Sequence, residues 1–238
     1  MKSRFDFKES ILFEDADYVL INKPPFVSTL EDRNDPVNIL RIAKDFIDDA
    51  QVCHRLDKDT SGVLAIAKNP EAYRHLSMQL ENREVTKIYH AVAEGIHDFK
   101  NQVVKASILK QNDGTVKISR MGKDATTTFT TLKVFGNFTL VDCRPLTGRM
   151  HQIRIHLATL GASIAGDPLY GGHPVFLSKL KRGFNLKKDT EEEPLMKRMA
   201  LHAFSLEFLD LAGKKVKVEA PYPKDFRVLV KQLEDNAR

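Results

Sequence analysis

Residues 54–67 read His54-Arg55-Leu56-Asp57-Lys58-Asp59-Thr60-Ser61-Gly62-Val63-Leu64-Ala65-Ile66-Ala67. The apolar run that ends this stretch is typical of a buried strand, so the polar residues before it form a loop that leads into a sheet. Loops held by rigid strands often present catalytic side chains. Arg55 and Lys58 favour the ionised, nucleophilic form of Asp57. Taken alone, however, the residues favour a simpler interpretation, a strand-initiating turn in which Asp57, Thr60 and Ser61 cap backbone amides.

Apolar spacing elsewhere predicts strands that alternate irregularly with a few helices. Strands are predicted at 18–21, 63–67, 88–94, 103–109, 127–134, 138–144, 200–209 and 215–220, with Gly136-Asn137 as a hairpin turn. Helices are predicted from an N-cap at Asp35 and a first-turn Pro36 to residue 47, over 70–83, over 153–160 with Gly161 as the stop, and after Pro223.

The hairpin-rich middle of the chain favours an antiparallel or mixed sheet with helices packed outside it, and hence the α+β class. The sequence contains no internal repeat. Residues 178–197 are highly charged and poor in β-branched residues. We predict a mobile excursion there, with RNA binding as the alternative, because charge runs are solvated faces more often than binding sites.

Composition is that of one soluble globular domain, predicted to span residues 1–238: 42% of the residues are hydrophobic and 29% are charged. A net charge of +5 and an isoelectric point near 9.1 favour polyanionic partners. The two cysteines, Cys53 and Cys143, form no disulfide framework, which favours a reducing compartment. Neither a signal peptide nor a membrane-spanning run is present. A cytoplasmic protein without membrane contact is therefore predicted.

Four blocks along the chain resemble, in order, the RluA family of pseudouridine synthases. The signature loop H-R-L-D-x-x-T-S-G of that family matches residues 54–62. The other blocks are Asn22-Lys23-Pro24, Lys87-Ile88-Tyr89-His90-Ala91-Val92, and Leu146-Thr147-Gly148-Arg149-Met150-His151-Gln152-Ile153-Arg154-Ile155-His156 continued by Gly166-Asp167-Pro168-Leu169-Tyr170-Gly171. Any one motif could arise by chance, but their ordered set covers nearly the whole chain.

The resemblance implies an RNA pseudouridine synthase with the α+β pseudouridine-synthase fold, a mixed, largely antiparallel sheet with flanking helices and a central catalytic cleft. Many family members carry an N-terminal S4-type RNA-binding domain. Here the Asn22-Lys23-Pro24 block comes too early to leave room for one, so no separate RNA-binding domain is expected. The chain also departs from the family after Pro25. A glycine-containing run ending near a His-Pro pair is replaced by Phe26-Val27-Ser28-Thr29-Leu30-Glu31-Asp32.

The resemblance makes Asp57 the catalytic carboxylate. Isomerisation of uridine breaks the bond between N1 and the ribose and rejoins the base through C5. No atom enters or leaves and no electron moves to a carrier, so we predict neither a cofactor nor a metal. Asp57 could attack C1′ of the sugar or C6 of the base, or it could stabilise a detached sugar while a base removes the C2′ proton. The sequence leaves these routes open.

Two further catalytic residues follow from the resemblance. Arg154 matches the arginine that forms an ion pair with the catalytic carboxylate, which keeps that carboxylate ionised and oriented. The alternative is a phosphate contact or a surface arginine of an amphipathic helix. Tyr89 matches the active-site tyrosine, which could stack on the base or act as, or position, a general base. The alternative is a core aromatic residue in a strand.

Substrate-binding candidates are Arg55, His54, Thr60 and Arg149. A uridine inside a stem or tight loop must leave its stack before a carboxylate can reach it. The resemblance implies that Arg55, two residues before the carboxylate, fills or props the vacated space. The alternative for Arg55 is a charge partner for Asp57 or Asp59. Thr60, Ser61 and Gly62 also shape the loop. Lys87, Arg149 and the cluster Lys179, Lys181 and Arg182 are candidate phosphate contacts.

Other motifs fail on spacing. His151 and His156 lack the spacing and the glutamate of a zinc motif, and residues 166–172 lack the lysine of a P-loop. Ser61 is not in a nucleophile elbow. His202 is interpreted as a hydrogen-bonded histidine near the core.

Three function classes stay open at this point. The first is a pseudouridine synthase, monomeric, acting on a stem-loop of ribosomal or transfer RNA and not on DNA. The second is a catalytically idle RNA-binding or ribosome-assembly protein of the same fold. The third is a hydrolase that uses Asp57, which would need a second acid or base group. Asp57, Tyr89 and Arg154 together favour the enzyme, because a binding protein needs none of the three. The sequence does not name the RNA or the uridine.

Overall fold

The computed structural model describes residues 5–31, 37–186 and 190–236, and its residue contacts divide the chain into two compact units. Unit 1 comprises Met1–Tyr89 and His202–Tyr222, and unit 2 comprises His90–Leu201 and Pro223–Arg238. This division does not test whether the chain is one domain, so a single catalytic domain over residues 1–238 stays a prediction.

The described residues form strands and five α-helices in irregular alternation. In chain order they are β1 Ile11–Glu14, β2 Tyr18–Lys23, α1 Ile39–Lys44, β3 Gln51–Val52, β4 Ser61–Ala67, α2 Pro70–Glu81, β5 Thr86–Glu94, β6 Gln102–Lys105, β7 Ile108–Lys110, β8 Val116–Ile118, β9 Thr126–Phe135, β10 Phe138–Pro145, α3 Gln152–Thr159, a short 3-10 helix Pro168–Tyr170, α4 Leu177–Leu180, β11 Leu201–Leu209, β12 Lys215–Glu219 and α5 Lys224–Asp235.

Strand β4 is the centre of unit 1. It lies between β2, with which it pairs antiparallel, and β11, with which it pairs in parallel through His202 opposite Ser61 and Ala203 opposite Gly62. Strand β1 extends this sheet beyond β2, β12 pairs with β11, and β3 pairs with β4. Every residue of β4 is buried. A strand covered on both faces carries a continuous apolar run, which is the pattern that predicted it.

Two clusters of side chains cover the two faces of this sheet. Tyr18 and Leu20 of β2 pack with Leu76 of α2 on one face. Their neighbours in β2, including Ile21, pack with Ile39 of α1 on the other face. Side chains alternate between the faces of a strand, so a strand with helices on both sides is apolar at every position. Both helices thus hold β4 and the loop before it in place.

Unit 2 is organised around the hairpin of β9 and β10. Phe135 pairs with Phe138 across the predicted two-residue turn, where Gly136 has a positive φ of 52°. Strand β6 pairs with β9, and β7 pairs with β8 in a separate two-stranded sheet. The prediction of one strand over 103–109 was therefore wrong. Local spacing does not reveal that the two halves of this segment bond to different partners. Ala106, between them, donates from its amide to the carbonyl oxygen of Ala125.

Helix bounds follow the local capping residues. Helix α2 starts after Asn69, whose side chain accepts from the amide of Ala72, and α5 starts after Pro223 as predicted. Helix α1 is shorter than predicted and starts at Ile39, after Asn38 as its N-cap. The residues proposed for that cap, Asp35 and Pro36, lie outside the described residues. Helix α3 follows the prediction and ends before Gly161, whose φ is +70°.

The fold is α+β, with mixed and largely antiparallel strand pairing, as predicted. The pairing of β4 with β11 is parallel, whereas β1–β2, β2–β4, β3–β4, β6–β9, β7–β8, β9–β10 and β11–β12 are antiparallel.

In the part of the chain that the structure describes, no helix is long and apolar enough to cross a membrane. Of the charged stretch 178–197, residues 187–189 lie outside the described residues, and Met196 near its end is buried.

Gly62, at the start of β4, provides a stability test with a matched control. Its φ is +116°, and a Cβ atom there would lie 2.1 Å from the carbonyl oxygen of Ala203. Gly114 also has a positive φ, 83°, but a Cβ atom there meets nothing within 4 Å. We expect Gly62→Ala to lower the free energy of unfolding by about 2–4 kcal/mol, and Gly114→Ala by about 1–2 kcal/mol. Urea unfolding followed by circular dichroism measures both, and equal losses would contradict the packing at Gly62.

Candidate active site

Asp57 lies in the loop directly before β4, where the sequence predicts it. Its side chain is half-buried, and its carbonyl oxygen accepts a 3.0 Å hydrogen bond from the amide of Thr60. This bond closes a tight turn between the carboxylate and the strand. Thr60 itself is only 2% exposed, which supports a role in shaping the loop. Contact of Thr60 with RNA stays a prediction.

The ammonium group of Lys23 holds the residue after Asp57. Lys23 ends β2, is fully buried, and donates from Nζ to the carbonyl oxygens of Pro24 at 2.9 Å, Val27 at 2.8 Å and Lys58 at 3.1 Å. A buried charge is costly unless polar groups replace its water. The three carbonyl dipoles fulfil this role, so the turn 24–27 and the Asp57 loop are bound to one cation.

The hydroxyl group of Thr29 holds the residue before Asp57. Its Oγ1 accepts from the amide of Leu56 at 3.1 Å and donates to the carbonyl oxygen of Leu56 at 2.9 Å. Thr29 is 3% exposed. The segment 23–29 therefore bonds to both sequence neighbours of Asp57, and the position of the carboxylate depends on this segment.

Ser61 and His202 fix the other end of the loop. Nε2 of His202 lies 3.1 Å from the carbonyl oxygen of Ala220, which can only accept, so Nε2 carries a proton. In the neutral ring, Nδ1 then accepts from the hydroxyl group of Ser61 at 2.9 Å. His202 is fully buried. The interpretation of His202 as a hydrogen-bonded core histidine is confirmed.

The negative charge of Asp57 acts on the hydroxyl group of Tyr89. Tyr89 lies in β5 and packs against the unit 1 cluster that contains Leu56 and Ala203. Burial, and to a lesser extent the negative charge of Asp57, raises the pKa of the Tyr89 hydroxyl. The phenol therefore keeps its proton at neutral pH. It can stack on a base or donate a hydrogen bond, whereas action as a phenolate base is disfavoured.

His54 is a neutral structural acceptor. Its Nε2 accepts a hydrogen bond of 3.2 Å from the amide of Ala65 in β4. Burial, with a smaller contribution from the charge of Lys87, lowers the pKa of His54 to about 3. Burial also lowers the pKa of Lys87 to about 8. These contacts support a role for His54 in fixing the loop. Contact of His54 with RNA stays a prediction.

Arg55 lies in the loop that carries Asp57, and its side chain is exposed. Among the described residues, no hydrogen bond or ion pair of its guanidinium group is found. The alternative in which Arg55 is a charge partner of Asp57 or Asp59 thus gains no support.

In unit 2, Arg154 forms a buried ion pair with Asp167. Its Nε donates to Oδ2 at 2.6 Å and its Nη2 to Oδ1 at 2.7 Å, and the guanidinium group lies 5.0 Å from the centre of the Tyr170 ring. The two side chains are 7% and 1% exposed. This bidentate pair joins the two parts of the last motif block, residues 146–156 and 166–171. The proposed ion pair between Arg154 and Asp57 stays a prediction.

Polar residues of the same block support helix α3. Gln152 accepts from the hydroxyl group of Thr147 at 2.7 Å and donates to the carbonyl oxygen of Thr126 at 2.9 Å. His151 contacts the hydroxyl group of Tyr170 at 2.8 Å, and His156 is hydrogen-bonded to Thr127 at 2.9 Å.

Arg149 is exposed, and its Nε donates to the carbonyl oxygen of Asp124 at 3.1 Å. Among the described residues, no group of three His, Cys, Asp or Glu could hold a metal ion.

Sequence reasoning missed three of these contacts. The Asn22-Lys23-Pro24 motif draws attention to Lys23 but gives no sign of its partners. No pattern in the sequence distinguishes Thr29. Asp167 belongs to a recognised block, yet its pairing with Arg154 depends on how the chain folds back.

Comparison with known proteins establishes the class. The family model described as RNA pseudouridylate synthase matches residues 17–159. The chain belongs to this family, and the resemblance to the RluA family is confirmed. It is 37% identical, over 98% of its own length and 72% of the relative's, to ribosomal large subunit pseudouridine synthase D of Xanthomonas campestris.

Two further relatives are described as uncharacterised RNA pseudouridine synthases. YlyB of Bacillus subtilis is 38% identical over 78% of this chain, which spans only 56% of that relative. A protein of Zymomonas mobilis is 34% identical over 91% of this chain and 94% of its own length. The solved structure of human RNA pseudouridylate synthase domain containing 4 shares the fold, with a TM-score of 0.70 over 95% of this chain and 94% of the other, at 24% identity.

The low pKa of His54 gives stability a specific pH dependence. Below about pH 6.5, the unfolded chain binds a proton at this imidazole that the folded chain does not bind until about pH 3. The free energy of unfolding should therefore fall with the pH, by up to about 1.4 kcal/mol per unit between pH 6 and pH 4 from this group. We expect His54→Gln to flatten this dependence. Urea unfolding from pH 4 to pH 7 measures it, and identical slopes for both proteins would contradict the burial of a neutral His54.

Proposed function

We propose that this chain isomerises specific uridines of structured RNA to pseudouridine, with Asp57 as the catalytic carboxylate. One observation carries the proposal: Asp57, in the signature loop, is held through both sequence neighbours by Lys23 and Thr29 and acts electrostatically on Tyr89. A carboxylate fixed in this way is ready for reaction, because its geometry does not have to be organised at each turnover.

The names of the relatives support ribosomal RNA as the substrate. Those of Xanthomonas campestris and Vibrio cholerae are described as ribosomal large subunit pseudouridine synthases D and C. We propose a stem-loop of ribosomal RNA as the first substrate to test, with transfer RNA as the second. We further propose that the enzyme is a monomer in the cytoplasm and does not act on DNA. Free cysteines, one of them buried, support a reducing compartment.

The reaction moves the uracil base from one bond with the ribose to another. The bond from N1 to C1′ must break, the base must turn, and C5 must bond to C1′ before the C5 proton leaves and N1 gains one. Asp57 begins this sequence, by attack on C1′ or C6 or by stabilising a detached sugar. All three routes need an ionised carboxylate at a fixed position and a base held against it.

Tyr89 and Arg154 meet the remaining needs in this proposal. Tyr89, as a neutral phenol, stacks on the target uracil or donates a hydrogen bond to it. Arg154 is proposed as the ion-pair partner that keeps Asp57 ionised. His54 cannot supply this positive charge at neutral pH, because its pKa is too low. The guanidinium group of Arg154, oriented by Asp167, is chemically suited to it.

RNA is proposed to bind through exposed basic side chains. Arg55 occupies the space that the flipped uridine leaves, and Arg149 contacts a phosphate. The net charge of +5 favours a polyanion. Such binding is expected to weaken steeply with salt, with a log–log slope of about −0.7 to −0.9 for each phosphate contact.

Replacement of Asp57 by Asn tests the central claim. Asn keeps the size and hydrogen bonding of the side chain but removes the nucleophilic charge. We expect pseudouridine formation to fall at least about 10³-fold, equivalent to about 4 kcal/mol in the barrier, while RNA affinity stays within about threefold. Mass spectrometry of unmodified ribosomal and transfer RNA transcripts measures the product, and filter binding measures affinity.

Asp59→Asn is the matched control, because it removes the same charge from the same loop two residues away. Its turnover should stay close to that of the wild type. A fully active Asp57→Asn enzyme would exclude Asp57 as the catalytic group. A wild-type protein that binds these RNAs without modifying any of them would favour the idle RNA-binding protein.

Arg55→Ala tests the role in base flipping. Since unstacking costs a few kcal/mol in a structured loop and less in an unpaired strand, we expect the loss in kcat/KM to be about tenfold larger for the structured RNA. The two substrates carry the same target uridine, one in a stem-loop and one in a linear oligonucleotide. Equal losses on both would instead assign Arg55 to the support of Asp57.

A further inference from the structure

Phe26 combines a strained backbone with an exposed aromatic ring. Its φ is +67°, and its side chain is 50% exposed. The left-handed region suits glycine and is unfavourable for a bulky residue. A half-exposed ring recovers little of that loss by burial. Strain retained in this way is concentrated at functional sites, which makes Phe26 a candidate for one.

The buried ammonium group of Lys23 holds Phe26 in this conformation. It bonds to the carbonyl oxygens of Pro24 and Val27, so two hydrogen bonds to a charge bracket Phe26 along the chain. Bonds to an ionised donor are stronger than those between neutral groups. The conformation is therefore imposed by the contacts of the turn.

The same turn is bound to the catalytic loop. Lys23 reaches the carbonyl oxygen of Lys58, and Thr29 bonds to both backbone groups of Leu56. Phe26 lies between these two anchors in the chain, and Asp57 lies between their two partners. The exposed ring is thus carried by the segment that borders the carboxylate.

We propose that Phe26 is a base-stacking residue of the active site, whose ring stacks on a nucleobase next to the target uridine. This proposal rests on the proposed function. Tyr89 is assigned to the target uracil, so Phe26 serves a neighbouring base once the loop of the RNA has opened. Stacking of an unpaired base on an aromatic side chain tolerates any base and strengthens binding. Phe26 therefore selects for an unstacked neighbour of the target uridine.

Three variants of Phe26 separate the ring from the backbone. Phe26→Gly relieves the strained φ and removes the ring, Phe26→Leu keeps an apolar side chain without a π face, and Phe26→Tyr keeps the ring. For Gly and Leu, we expect the RNA concentration at half-maximal rate to rise about 5- to 100-fold, with the single-turnover rate at saturation within about threefold. Tyr should restore the wild-type value within about threefold.

Phe46→Leu is the matched control. Phe46 is also 50% exposed in unit 1, but it stacks on Phe7 and lies outside the segment 23–29. We expect no change in its half-saturating RNA concentration. Thermal unfolding of each variant checks the fold, and we expect Phe26→Gly to melt within about 4 °C of the wild type.

An abasic neighbour makes the test specific. The probe is a synthetic stem-loop around a uridine that the wild-type enzyme modifies, with the base on its 5′ or 3′ side removed. Affinity is measured in the Asp57→Asn background, with and without Phe26→Leu. Removal of the stacked base should weaken binding to the parent, and it should have little further effect once Phe26 is replaced.

The outcomes divide clearly. If removal of one neighbouring base weakens binding less in the Phe26→Leu background than in the parent, the proposal is supported. Losses of affinity that simply add overturn it. A Phe26→Leu enzyme whose rate at saturation falls while its half-saturating RNA concentration is unchanged also overturns it, since that result assigns Phe26 to the loop structure. A wild-type protein that forms no pseudouridine would instead remove the proposed function on which this assignment rests.

Discussion

The buried ammonium group of Lys23 is the contact on which the proposed catalytic loop depends. It replaces its lost water with three carbonyl oxygens, from Pro24, Val27 and Lys58. Without the ammonium group, these carbonyls would lose their donor, at a cost of about 1–3 kcal/mol for each one that water does not reach. Both the turn after β2 and the loop before β4 are therefore arranged around one charge. Thr29 adds neutral bonds to Leu56 that fix the loop on the other side of Asp57.

Unit 2 contains a buried charge of a different kind. Arg154 and Asp167 neutralise each other in a bidentate pair that is almost closed to solvent. Such a pair contributes little net stability, because desolvation of two ions offsets most of their attraction. Its effect is geometric: it orients a planar guanidinium group and joins helix α3 to the segment that carries Tyr170. A guanidinium group carries five N–H donors, so one that Asp167 orients can also bind a second carboxylate, which is the role proposed for Arg154.

Burial sets the charge states beside Asp57. His54 stays neutral and Tyr89 stays protonated at neutral pH, because the protein interior disfavours their charged forms. Neither can be the positive partner of the carboxylate, and neither adds a second negative charge. In the proposed reaction, Asp57 supplies the negative charge, and Tyr89 supplies an aromatic surface and a hydrogen-bond donor. A positive partner for Asp57 must then be another residue, and Arg154 is the one proposed.

The sequence by itself determined the order and type of most elements. The apolar run of β4, the start of α2 at Pro70 and the two-residue turn at Gly136 are local signals, since each depends on residues within a few positions. The loop position of Asp57 followed from the strand after it, and the signature string identified it as the candidate. The prediction of one strand over residues 103–109 was wrong because the two halves of that segment pair with different strands, which local spacing does not encode.

Only the tertiary structure decided the contacts that position the site. Lys23 and Lys58 are 35 positions apart in sequence, and Thr29 and Leu56 are 27 positions apart. Bonds across such separations depend on which strands become neighbours, and that choice is made by packing of the whole core. The strained conformation of Phe26 follows from the same contacts, because its φ is imposed by the ammonium group and not by its own preference. A sequence specifies which residues are able to form these bonds, but only the fold selects the partners.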